Sequence, residues 1–217
     1  MHKYSNLNGS IYSYSPYEYT ICDEYANKVV HSNNYEYRGQ KDIPTRIYQA
    51  LFGKLAEMGA YNICYKDCLF FKEVPDTVVY DQNKKSWRQD FQEENSNVFF
   101  HVKSFDENNP ANNDSIIVQK NDIYGNSVGH RDKFALDPNS PDYIIISSVN
   151  MKLRYVKILF ILPVKVLHEH KLFKEPRFES LKISKYAVYV EDIEKIYNPL
   201  SSTTSSMVSL YPPSDLW

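Results

Sequence analysis

Apolar residues recur at helical spacing in DIPTRIYQALFGKLAEMGAYNICYK, where Ile47, Leu51, Leu55 and Met58 fall three or four apart. Asp42 is placed to cap this helix, and Pro44 suits its first turn. Ala50, Gly53 and Glu57 share another side, and the two small residues let a neighbouring sheet or a ligand come close to Glu57. A shorter helix is expected over residues 18–30, followed by a loop at 32–39. Beyond residue 76 the period changes from helical to alternating. Thr77–Tyr80 and Ser86–Phe91 read as strands joined by the turn QNKK. QEENSN is a second turn, and Val98–Phe105 is the third strand of a meander. Residues 106–114 are loop-like, Ile116–Gln119 is a short strand, and residues 122–141 are polar.

The strongest strand signals come next. Tyr143–Val149 and Arg154–Leu162 are nearly continuous apolar runs around a turn at Asn150–Leu153, the pattern of central strands buried on both faces. Lys182–Val190 is a further strand, Glu191–Ile196 a short helical turn, and the tail SSTTSSMVSLYPPSDLW a linker ending in apolar residues. The sum is an α/β fold, a central mixed β-sheet flanked by helices.

Composition narrows the function classes only slightly. Hydrophobic residues make up 42% and charged residues 24% of the 217, the balance of an ordinary globular chain. A net charge of −2 supplies no global basic field, although a local positive cleft can steer a polyanion to a near-neutral protein. The 19 tyrosines accompany abundant Asn, Lys and Ile, the usage of AT-rich coding sequence. Three cysteines without a disulfide framework or zinc spacing fit a reducing compartment. The N-terminus lacks a secretory apolar region, and no run is long enough to cross a bilayer. The expectation is a soluble, cytoplasmic protein.

Candidate chemistry begins in NVFFHVKSF, residues 97–105. His101 and Lys103 lie two apart in an apolar strand and therefore on one face. Burying such a pair is costly unless it has partners or a task. A turn centred near Asn95 sets Asp90 almost opposite Phe100, hence beside His101, and Glu57 can approach from the preceding helix. A carboxylate, an imidazole and an ammonium on a sheet edge can hold a divalent metal and a water beside a phosphodiester. His130, Arg131 and Lys133 supply cations for phosphate or base contacts, and a solvated loop is an equal reading of them. His168, Glu169 and His170 form a triplet of metal-ligand types, but alternating residues in a polar segment read as exposed. No GxSxG elbow, Walker loop or Gly-rich dinucleotide turn is present, and GNSVGHRDK lacks the spacing of an HNH site.

Taken in order, these parts resemble the PD-(D/E)xK nuclease superfamily, which includes many type II restriction endonucleases. GKLAE, with Glu57, is similar to the Glu-bearing first helix. WRQDF, with Asp90, looks like the strand carrying the metal-binding Asp. HVKS, with His101 and Lys103, looks like the (D/E)xK strand, PDYIIISSV like the following core strand, and ISKYAVYVEDIEKI like a late strand-and-helix element. His101 stands where the family has Asp or Glu, and imidazole suits Zn²⁺ or Mn²⁺ at least as well as Mg²⁺. A literal Pro-Asp at Pro75–Asp76 makes Asp76 the competitor of Asp90.

The resemblance implies one nuclease-like domain over residues 1–198, with a tail at 199–217. It implies a Mg²⁺-dependent endonuclease cutting double-stranded DNA, with Mn²⁺ as an alternative cation, acting as a homodimer on palindromic sites. Asp90, Glu57 and His101 are then the metal ligands and Lys103 the activating or charge-stabilising residue, with Arg131 and Lys133 on the substrate. A non-catalytic nucleic-acid-binding protein on a degenerate nuclease core is the alternative that His101 feeds. An unrelated α/β interaction protein with a tyrosine-rich contact surface is the third reading.

Overall fold

The computed structural model describes residues 3–32, 42–77, 90–109, 114–120 and 132–197. Their order is β1 (Ile11–Ser13), α1 (Pro16–His31), α2 (Ile43–Lys66), β2 (Phe91–Gln92), β3 (Phe99–Asp106), β4 (Ser115–Gln119), β5 (Tyr143–Asn150), β6 (Tyr155–Pro163), α3 (Val164–Glu169), β7 (Lys185–Tyr189) and α4 (Val190–Tyr197). The fold is mixed α/β, as the alternation of periods predicts. No described helix is long and apolar enough to cross a membrane.

Local sequence accounts for the helix starts. Ser15 caps α1 in a reciprocal box with Glu18, and Pro16 occupies the first turn. The helix therefore begins two residues before the expected Glu18. Asp42 caps α2 through the Thr45 N–H, and Pro44 lies in its first turn. The segment directly after β6 folds as α3. Val164, Val166 and Leu167 are buried there, while His168 donates from Nε2 to the Phe134 carbonyl at 3.1 Å. The histidine triplet is thus partly a packing element.

Five strands form one sheet in the order β1-β6-β5-β3-β2, and β4 and β7 form a separate antiparallel pair. β3 runs parallel to β5, with His101 beside Ile144 and Lys103 beside Ile146, whereas the other pairs are antiparallel. Both faces of β5 are covered, as its unbroken apolar run requires. On one face, Phe100, Ile145, Ile158 and Ile161 pack with Ala60, Ile63 and Cys64 of α2. On the other, Phe105, Ile144, Ile146 and Leu162 pack with Ile116 and Val118 of β4, Phe134 and Val188 of β7.

The meander is only partly described. Residues 78–89, which hold most of its two expected leading strands, lie outside the described residues, and Thr77 is not in a strand. The β2–β3 register pairs Phe91 with Phe100, which sets Asp90 level with His101 rather than Phe100, one residue from the expected register. β1, too short and polar to declare itself, closes the far edge against β6.

Helix α2 lies unusually close to β6. A Cβ added at Gly59 would come 2.5 Å from the Val156 side chain, whereas one added at Gly53 meets nothing within 4 Å. The two glycines should therefore respond oppositely to alanine. Gly53→Ala is expected to stabilise by about 0.5–1 kcal/mol through helix propensity. Gly59→Ala is expected to lose about 1–3 kcal/mol to overpacking, lowering the thermal midpoint by several degrees. Equal midpoints for the two variants in thermal unfolding would refute the close approach.

Candidate functional site at the open edge of strand β3

β2 pairs only with Phe99 and Phe100 at the start of β3, so beyond Phe100 the outer edge of β3 has no described strand partner. Asp90, the residue just before β2, occupies part of that edge. Its carboxylate accepts the Val102 N–H at 2.6 Å, taking the place of a ladder bond. Phe100 and Val102 turn toward α2, whereas His101, Lys103 and Phe105 turn toward β4 and the 3-10 turn Lys133–Leu136. This alternation separates residues that the sequence pattern grouped together.

Glu57 stands on the α2 side. Its side chain is 24% exposed, and it bonds the Lys54 ammonium one turn earlier on the same helix. Burial pushes the Glu57 carboxyl above its ordinary value and Lys54 pulls it down. Asp90 raises it again by like-charge repulsion, and Lys103 lowers it. Glu57 therefore feels Lys54, Asp90 and Lys103 together, although Lys103 turns to the other face of β3. The carboxylate felt by both Glu57 and Lys54 is Asp90. Asp76 is an exposed residue of the stretch before residue 78.

The opposite face is built from two aspartates that the sequence reading did not use. Asp132, in the left-handed region at φ 48° that aspartate tolerates better than most residues, accepts from Lys103 Nζ and from the Gln119 N–H, each at 2.7 Å. Burial alone would raise its carboxyl, but the Lys103 ammonium overcomes that and holds it below the usual range. Asp142, immediately before β5, meets His101 Nε2 at 3.1 Å and accepts the Phe99 N–H at 3.2 Å. Burial opposes its charge, and His101 and Phe99 together hold its carboxyl low. The His101 ring also packs 4.2 Å from that of Phe134. Pro141-Asp142 directly before the strongest strand was the available signal for Asp142. Asp132 had none, since only the tertiary fold brings it to Lys103.

Of the expected set, Glu57 and Asp90 act on each other on the α2 side, whereas Lys103 and His101 turn to the β4 face, each with its own carboxylate. Among the described residues, no three His, Cys, Asp or Glu side chains lie close enough to hold a metal ion together. Arg131 lies outside the described residues, as does the side chain of Lys133. The buried thiols are poor nucleophiles, since burial pushes Cys22 and Cys64 up to about 12.

Two carboxylates can take a hard divalent cation with water and phosphate completing its shell, as Mg²⁺ prefers. Glu57 and Asp90 are the carboxylates whose charges act on each other here, and Asp90 raises the Glu57 carboxyl. The fit is therefore to a sparse pair of oxygen donors.

The Lys103–Asp132 pair should govern acid stability. A carboxyl held low in the folded state stabilises above its unfolded value and loses that contribution as pH falls through the folded one. Asp132→Asn should cost about 2 kcal/mol at pH 7, the scale of a charge-assisted hydrogen bond. The gap to wild type should narrow once pH drops below the ordinary aspartate value of 3.8. Thermal unfolding between pH 7 and 2.5 measures this, and a gap constant with pH would contradict the pairing. No family model, curated protein or solved structure matches this chain, so its chemistry is argued from these residues themselves.

Proposed function

We propose that the chain is a metal-dependent endonuclease of double-stranded DNA with a PD-(D/E)xK-like core, acting in the manner of a type II restriction enzyme. The observation that supports this most is Asp90 on the edge of β3, bonded to the Val102 N–H and acting with Lys103 on the Glu57 carboxyl. An Asp before a strand, a Glu on the preceding helix and a Lys in the next strand are the parts of that site in its usual chain order. Glu57 and Asp90 would hold Mg²⁺ or Mn²⁺. When bound, the cation supplies Lewis acidity to the phosphate and lowers the pKa of a coordinated water.

The remaining work falls to this chain's own groups. Lys103 donates from its ammonium to a non-bridging phosphate oxygen, stabilising the charge that grows there as water attacks phosphorus in line and the opposite P–O ester bond breaks. Asp132 fixes where that ammonium points, with a 2.7 Å hydrogen bond. His101, tied to Asp142, borders the site rather than completing the ligand set. A two-fold dimer would match the symmetry of a palindromic target.

One observation favours a second reading. The position that carries an acid in the family holds His101, already committed to Asp142, which suits a core that binds nucleic acid without cutting it. Incubation with plasmid or phage DNA in Mg²⁺ or Mn²⁺ separates the two. Discrete fragments support restriction, and intact but shifted DNA supports binding alone. Lys103→Ala is expected to lower cutting at least about 100-fold while retaining DNA binding in a mobility-shift assay. Cutting at the wild-type rate in that variant would sink the mechanism.

A further inference from the structure

Glu57 already has a cation. Lys54 is only 6% exposed, its ammonium bonds the Glu57 carboxylate, and it lies 4.6 Å from the ring centre of Tyr25 on α1. Lysine is rarely buried to this extent, because desolvation and lost rotamer freedom both oppose it. A glutamate with no further task could be solvated at the helix surface, and its lysine with it. Here the pair is instead held inward, facing Asp90.

The local charge count is informative. Glu57, Asp90 and Asp132 contribute three negative charges, and Lys54 and Lys103 two positive ones, leaving −1 at the edge of β3. Lys103 pairs with Asp132 and Lys54 with Glu57, while Asp90 accepts from the Val102 N–H. Adding one divalent cation and one phosphodiester brings the total to zero without ejecting either lysine.

We infer that the Lys54 ammonium is a built-in counter-ion occupying the cation position beside Glu57 in the metal-free protein, and that a divalent metal binds by exchange with it. The inference rests on the metal reading proposed above. Its flexible four-carbon stem lets the displaced ammonium swing toward the incoming phosphate, whose charge replaces that of Glu57 as its partner. Lys54 is then a positioning residue: it keeps two repelling carboxylates in place before metal arrives. The exchange also weakens metal binding, because the cation must first break an ion pair.

Titration of Mn²⁺ and Ca²⁺ against wild type, Lys54→Met and Lys54→Gln, followed by calorimetry and thermal unfolding without DNA, tests this apart from activity. Both variants should unfold at lower temperature than wild type in EDTA. They should bind Mn²⁺ roughly tenfold more tightly than wild type, the scale of one relieved like-charge contact. Their midpoints should recover as Mn²⁺ is added. Lys54→Gln keeps a donor for Glu57 and serves if the methionine variant does not fold. Lys54→Arg, which keeps the charge, should bind Mn²⁺ as wild type does, and Glu57→Gln should lose the response. Equal or weaker Mn²⁺ binding in the uncharged variants overturns the exchange while leaving the metal reading intact. No response to either cation in wild type or in the uncharged variants overturns both.

Discussion

A strand that carries an imidazole and an ammonium through a closed interior obliges the rest of the fold to supply acids. β3 imposes that requirement. Its neighbours on β5 are apolar, with His101 beside Ile144 and Lys103 beside Ile146, so no relief comes from that strand. Relief comes instead from the connections. Asp142 sits in the approach to β5 and Asp132 in the segment after β4, and each also ties down a backbone N–H, of Phe99 and Gln119 respectively. A buried charge is tolerated when paired and hydrogen-bonded and is costly when orphaned. The two aspartates therefore do structural work whatever the edge of β3 does chemically. Asp132 thereby links Lys103 of β3 to the Gln119 N–H of β4.

The opposite side of β3 follows a different logic. Asp90 satisfies the Val102 backbone donor, and in doing so brings a carboxylate to the edge of β3. Glu57 comes from α2, and the two acids repel each other where they meet. Stabilisation on one face and stored repulsion on the other meet at Lys103, whose ammonium bonds Asp132 yet is felt by Glu57.

Much of the architecture was legible in the pattern of residues. The helical spacing from Ile47 to Met58 with the Asp42 cap gave α2, and the apolar runs at 143–149 and 154–162 gave the two central strands. α3 was hidden because a helix of six residues offers too few repeats to show a period. The three-residue β1 was hidden for the same reason, while β2 lies at the end of the strand expected over residues 86–91. In the site, Glu57, Asp90 and Lys103 could be grouped from chain order. The alternation rule placed His101 and Lys103 on one face, but sequence does not say which face α2 covers, and that decided against His101 as a partner of Glu57. Lys54, Asp132 and Asp142 were invisible as a set because their meaning lies in contacts of different sequence range, three, 29 and 41 residues.

The absent side chain of Gly59 has a consequence for how the molecule responds to heat. With Val156 filling the space against the helix, α2 cannot roll or slide without pushing on the β5–β6 hairpin. Glu57 lies half a turn before that contact, so its carboxylate inherits the rigidity of the central sheet. Local breathing of the kind that frays peripheral loops is then uncoupled from the spacing between Glu57 and β3. Warming should leave that spacing unchanged until the sheet itself melts, making the charged edge one of the last features to be lost rather than one of the first.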